Sequence, residues 1–96
     1  MLTLKWRPEA DADVEAIFTY IAQRNLAAAT RLRNAIQACA ERLPQHPYMY
    51  RRGRRADTRE AVVHPNYILI YRVGIDAVEV LDVIHSRRQY PPGDEG

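Results

Sequence analysis

Ninety-six residues make one domain with a modest core, since a chain of this size buries only about 60–65% of its unfolded surface. Net charge is +2, and all but Lys5 of the 14 basic residues are arginine. No apolar run nears the ~20 residues that span a bilayer, no secretory signal pattern opens the chain, and the single cysteine, Cys39, excludes an internal disulfide, so a cytoplasmic protein with no membrane partner is expected.

Leu2, Leu4 and Trp6 alternate with polar residues at strand period, which predicts a short first strand. Pro8 suits a first helical turn, and Glu9, Asp11 and Asp13 favour its positive end. Ala10, Val14, Ile17, Phe18 and Ile21 then form one apolar helical stripe. Asn25 can cap a second helix, whose stripe is Ala29, Leu32, Ile36, Cys39, Ala40 and Leu43 and which Pro44 stops. Helices joined this tightly form an antiparallel hairpin. Cys39 lies in the stripe and reads as core, and Trp6 reads as a cover over the helix–sheet junction.

Residues 44–57 read as a loop from Pro44, Pro47, Gly53 and their charges, with Tyr48, Met49 and Tyr50 pinning it to the body. Residues 59–64 read as a strand, Pro65-Asn66 as a turn, residues 67–73 as a central strand, residues 74–77 as a second turn and residues 78–85 as the last strand. Pairing Val73 with Val78 sets Arg72 opposite Glu79, an opposite-charge pair that supports this register. It also sets Ile70 opposite Leu81, Ile68 opposite Val83 and Asp82 opposite Leu69. Pairing Val63 with Ile68 puts Arg59 and Arg72 on one face with Glu79 between them. The fold class is α+β, in the order β-α-α-β-β-β. The helical hairpin packs on one face of a small, mainly antiparallel sheet and leaves the other face partly open.

In this order and spacing the chain resembles the RelE/ParE toxin superfamily. The resemblance rests on Trp6 with the helix start at Pro8, on Ile17-Phe18-Thr19-Tyr20-Ile21, on Thr58-Arg59-Glu60, on residues 67–73, and on His85-Ser86-Arg87-Arg88-Gln89-Tyr90-Pro91. The Tyr-Arg-Val of the central strand and the His-x-x-Arg after the last strand are similar to ParE-type sequences. RelE-type nucleases usually carry an arginine after the tyrosine that opens this strand; here Ile68 follows Tyr67. The resemblance therefore implies a type II, plasmid-stabilisation toxin that inhibits DNA gyrase by binding and is neutralised by a cognate antitoxin in a hetero-oligomer. The alternative is a ribosome-dependent mRNA endoribonuclease of RelE type.

Arg59, His85, Arg87, Arg88 and Tyr90 are the candidates for target contact. A nuclease would use His85 or Tyr90 for proton transfer and Arg88 as the phosphate clamp. The plainer alternative is that His85 closes the sheet edge and the arginines pair with Asp82 or Glu60. Arg51, Arg52, Arg54, Arg55 and Arg72 are assigned to an acidic antitoxin segment, since a guanidinium fork suits carboxylate and phosphate oxygens. His46 and His64 lack metal-ligand spacing, and no Gly-rich phosphate loop or Gly-x-Ser-x-Gly elbow occurs, so no metal and no cofactor are expected.

Overall fold

The computed structural model describes residues 2–87. Its elements are β1 (Thr3–Trp6), α1 (Pro8–Ala22), α2 (Leu26–Arg42), β2 (Arg51–Arg52), β3 (Arg59–His64), β4 (Tyr67–Val73) and β5 (Ala77–His85). The α+β class and the helical hairpin are as expected. The order gains a strand, because two arginines of the 44–57 loop pair antiparallel with β3. The five strands lie in the order β1-β5-β4-β3-β2, with β1 parallel to β5 and every other pair antiparallel.

Local chemistry sets the helix ends. Pro8 sits in the first turn of α1 beside Glu9 and Asp11. Asn25 Oδ1 accepts the Ala28 N–H at 2.9 Å, satisfying one of the donors that the start of α2 leaves unpaired. Ala10 from α1 and Leu32, Ile36, Cys39 and Ala40 from α2 meet Tyr67, Leu69, Tyr71, Val78, Val80 and Val83 from the sheet in one core. Leu69, Ile70 and Tyr71 are fully buried in the centre of β4. Burying an aliphatic side chain of this size stabilises by about 1.5–3 kcal/mol. Trp6 packs half-buried against this core, as a cover does.

The β4–β5 pairing begins as expected, with Val73 opposite Val78 and Arg72 opposite Glu79, and then departs. Tyr71 pairs with Val80 but Ile70 with Asp82, so Leu81 is the extra residue of a β-bulge. Beyond it Ile68 lies opposite Ile84 and Leu69 opposite Val83, not the partners expected. Asp82 moves with the shift to the face of Ile70. On β3, Val62 rather than Val63 lies opposite Ile68, and Arg59 lies opposite Tyr71. This one-residue difference turns Arg59 to the helix-covered face, away from Arg72.

The second sheet face is partly open, as expected: Val62, opposite Ile68, is exposed there, while the centre of the face is covered. Ile68, Ile70, Leu81 and Ile84 form a second buried cluster there. The basic loop reaches the acids of the same face. Arg51 Nη2 lies 3.2 Å from Glu60 Oε1, the Arg54 N–H donates to Glu60 Oε2 at 3.3 Å, and Arg55 Nη2 lies 3.6 Å from Asp82 Oδ2. Burial foremost, and the neighbouring Asp13 next, push the Asp82 carboxyl above its ordinary range, while Arg55 opposes them.

One polar contact closes the far edge. The pairing of β1 with β5 ends at Trp6 opposite Val80. Past that point α1 crosses the edge, and the Val83 N–H donates to Asp13 Oδ2 at 2.9 Å. A backbone donor that would face a bare edge is thereby satisfied.

Candidate functional site

The sheet carries functional candidates at both ends, and they are held differently. At one end, the turn between β2 and β3 is shaped by three residues. The Gly53 N–H donates to Thr58 O at 2.8 Å, and Thr58 Oγ1 donates to Arg55 O at 2.7 Å. A Cβ on Gly53 would stand 2.3 Å from Thr58 Oγ1, so only glycine fits this approach. Asp57 takes the left-handed conformation that completes the turn (φ 63°). Below the turn, Glu60 is buried yet satisfied by Arg51 and by the Arg54 backbone, which ties the basic loop to β3.

These contacts frame a cleft of about 530 Å³. Arg52, Arg54, Arg55, Arg59 and Arg72 line it, with Tyr48 on one wall and Asp57 as the one acid of the lining. Arg59 is fixed from below, donating to Tyr50 O at 2.8 Å and to Tyr48 O at 3.5 Å. Its guanidinium also lies 4.9 Å from the centre of the Tyr48 ring, a cation–π distance. Arg72 Nη2 lies 2.8 Å from Glu79 Oε1, and Arg7 Nε lies 3.8 Å from the same carboxylate. Glu79 thus sits between two arginines, as expected, but the second is Arg7 and not Arg59.

The cleft wall is anchored from the core. The buried Tyr71 hydroxyl donates to Pro47 O at 2.7 Å, and its ring meets Tyr50 edge-on at 6.4 Å. Burial pushes the Tyr71 phenol up to about 12, with Arg59 opposing. Tyr50 also accepts the Cys39 thiol at 3.8 Å, and burial raises that thiol above its ordinary value, as befits an inert core cysteine. Of the three residues expected to pin the loop, Tyr50 does so. Tyr48 and Met49 are exposed.

The opposite end carries His64, Tyr67 and His85 in a row across β3, β4 and β5. The Tyr67 ring centre lies 5.2 Å from His85 and 5.9 Å from His64. Each imidazole accepts, at Nδ1, the backbone N–H two residues ahead: Asn66 for His64 at 3.0 Å and Arg87 for His85 at 3.1 Å. With Nδ1 accepting in both rings, Nε2 is the nitrogen left to donate. Next to this row, Asp13, Ala16, Ile17, Tyr20, Val83 and Ile84 complete a cavity of about 260 Å³ between α1 and β5.

The residues expected to meet the target are thus divided. His85 and Arg87 lie at this end, Arg59 lies at the other in the basic cleft, and Arg88 and Tyr90 fall outside the described residues. Four residues assigned to the antitoxin, Arg52, Arg54, Arg55 and Arg72, come together around that cleft, and Arg51 sits beside them on Glu60. Tyr48 was expected to pin the loop rather than to line a cleft, and Arg7 and the pairing of His64 with Tyr67 were not singled out from sequence. An aromatic beside a loop proline was the one available sign of the first. Among the described residues, no group of three metal-ligating side chains comes together.

Residues 4–90 match the family described as ParE toxin of type II toxin-antitoxin system, parDE. The chain is 34% identical over 89 residues to putative toxin Y4kP of Sinorhizobium fredii, covering 92% of each chain. It is also 34% identical over 90 residues to toxin RelE2 of Caulobacter vibrioides, covering 92% of this chain and 99% of that one. Among solved structures, a chain of the chromosomal ParDE toxin–antitoxin system from P. aeruginosa superposes with a TM-score of 0.80 at 20% identity, over 88% of this chain and 96% of the other. The five-stranded sheet under a helical hairpin and the match over nearly the whole length make this chain a member of the ParE toxin family of type II toxin–antitoxin systems.

Proposed function

We propose that this toxin arrests growth by binding DNA gyrase and holding it with its DNA cut, without covalent chemistry of its own, within a plasmid-stabilisation module. The observation that carries this reading is Ile68. It occupies the position after Tyr67 at which RelE-type nucleases usually hold an arginine, and its side chain is buried in the second-face cluster with Ile70, Leu81 and Ile84. An isoleucine there offers no charge to a scissile phosphate. His85 and Arg87, together with Arg88 and Tyr90 beyond them in sequence, are assigned to the target. Arg59 joins the basic cleft.

A cognate antitoxin neutralises the toxin through an acidic segment that orders on binding and is held by Arg51, Arg52, Arg54, Arg55 and Arg72. Charge complementarity supports this choice, as does the likeness to a chain solved as part of a toxin–antitoxin system. The second reading, a ribosome-dependent endoribonuclease, draws on the similarity to a relative named RelE2.

Purified gyrase decides between them. With the toxin added, loss of supercoiling and accumulation of cleaved plasmid are expected, and antitoxin restores both. A pulse of toxin in cells that stops translation first, with mRNA cut at codon spacing, overturns the gyrase reading in favour of the nuclease.

A further inference from the structure

We infer that the basic cleft is also a binding site for single-stranded nucleic acid, with Tyr48 as a stacking platform and Arg52 and Arg72 as phosphate contacts. The inference concerns the cleft alone and does not rest on gyrase being the target.

Charge is the first reason. Five arginines and one acid, Asp57, line the cleft. Arg72 shares the Glu79 carboxylate with Arg7, so one negative charge serves two guanidiniums and leaves an excess of positive charge. Arg52 lies exposed at the rim. Charge of this kind attracts any polyanion.

Tyr48 narrows the class. Its ring has the Arg59 guanidinium over one face, while the residue stays 66% exposed. Arg59 is itself held by two backbone carbonyls, so the ring rests on a fixed support. An exposed ring backed on one face by a held guanidinium, in the lining of an arginine-rich cleft, suits a base stacked on the ring with its phosphates on the guanidiniums. The volume, about 530 Å³, admits a nucleotide unit. A carboxylate-rich peptide would use the charges but has no need of the ring. A duplex would keep its bases in the stack and leave the ring unused.

The test uses the full chain and fluorescence anisotropy with a labelled oligothymidylate of about 16 nucleotides, a matching duplex and a poly-glutamate peptide. Saturable binding of the single strand is expected, weakening steeply between about 50 and 200 mM salt. Tyr48→Ala weakens it roughly 5- to 100-fold, and Tyr48→Phe restores it. Arg52→Ala lowers the magnitude of the log–log salt slope by about 0.7. Circular dichroism of each variant checks that the fold is kept. The inference is overturned if the oligonucleotide fails to bind, if Tyr48→Ala leaves its affinity unchanged, or if duplex or poly-glutamate binds as tightly. No arm contains gyrase, so these outcomes are independent of the supercoiling assay.

Discussion

Tyr71 joins the core to the cleft wall, and removing its hydroxyl tests that link quantitatively. The side chain is fully buried, and its hydroxyl holds Pro47 O at 2.7 Å. Tyr71→Phe deletes the donor and leaves the half-buried Pro47 carbonyl without it, which costs about 1–3 kcal/mol near pH 8. The pH dependence carries the stronger inference. Folding raises the phenol from an ordinary value of 10.0 to about 12, so the folded state favours the protonated form. The contribution is therefore complete below pH 10 and is lost as pH rises through 12, when the unfolded phenol ionises and the folded one does not. The rise from 10.0 to about 12 corresponds to about 2.7 kcal/mol over the whole window, of which about 2 kcal/mol is gone by pH 11.5. Burial also raises Tyr67, but that loss is common to both proteins and cancels in the comparison. Urea midpoints of wild type and Tyr71→Phe should differ most at about pH 8–9 and converge by about pH 11.5. A gap that stays constant across this range would refute the claim that a buried, neutral phenol secures the loop.

Three further sets of substitutions probe the cleft and the core. Gly53→Ala forces a Cβ against Thr58 Oγ1 and should cost about 1–3 kcal/mol in urea denaturation, with partial recovery when Thr58→Ala is added. Glu60→Ala removes the buried acceptor of Arg51 and the Arg54 N–H; a loss of about 1–3 kcal/mol is expected, together with faster amide exchange in residues 51–58. Asn25→Ala removes the α2 cap and should cost about 1 kcal/mol, whereas Arg72→Ala breaks an exposed pair with Glu79 and should cost under about 1 kcal/mol; thermal melts separate the two.

Much of this architecture was legible before any coordinates. Pro8, Asn25 and Pro44 punctuate the helices because each acts on backbone groups within its own turn. The Arg59–His64 and Tyr67–Val73 strands matched because turn residues bound them. What escaped depended on choices that alternation does not record. Val80, Leu81 and Asp82 contain no mark for a bulge, since either of two adjacent apolar residues can be the extra one. The register of β3 hung on a single residue across the Pro65 turn, and missing it placed Arg59 on the wrong face. The Asp13 to Val83 contact spans 70 residues, and a carboxylate in a helix start reads first as a partner for the helix dipole. β2 is two exposed arginines, indistinguishable in composition from a solvated loop.

The placement of Arg59 changes how the two ends relate. β3 carries Arg59 at one end and His64 at the other, about 17 Å apart at strand rise. Arg59 therefore cannot work beside His85, and no single small partner covers both the cleft and the imidazole row by touching one of them. The two ends are nonetheless built on the same three strands, with Tyr71 and Tyr67 four residues apart on β4 and both facing the helices. Tyr71 holds the Pro47 carbonyl of the cleft wall, and Tyr67 packs between the two histidines. A partner on the arginines can thus leave the histidine end exposed. Substitutions at Arg52 and at His85 should then separate neutralisation from toxicity. If Arg52→Ala and His85→Ala each reduced antitoxin affinity and toxicity in the same proportion, the two ends would have to be one surface, and the division drawn from the β3 register would be wrong.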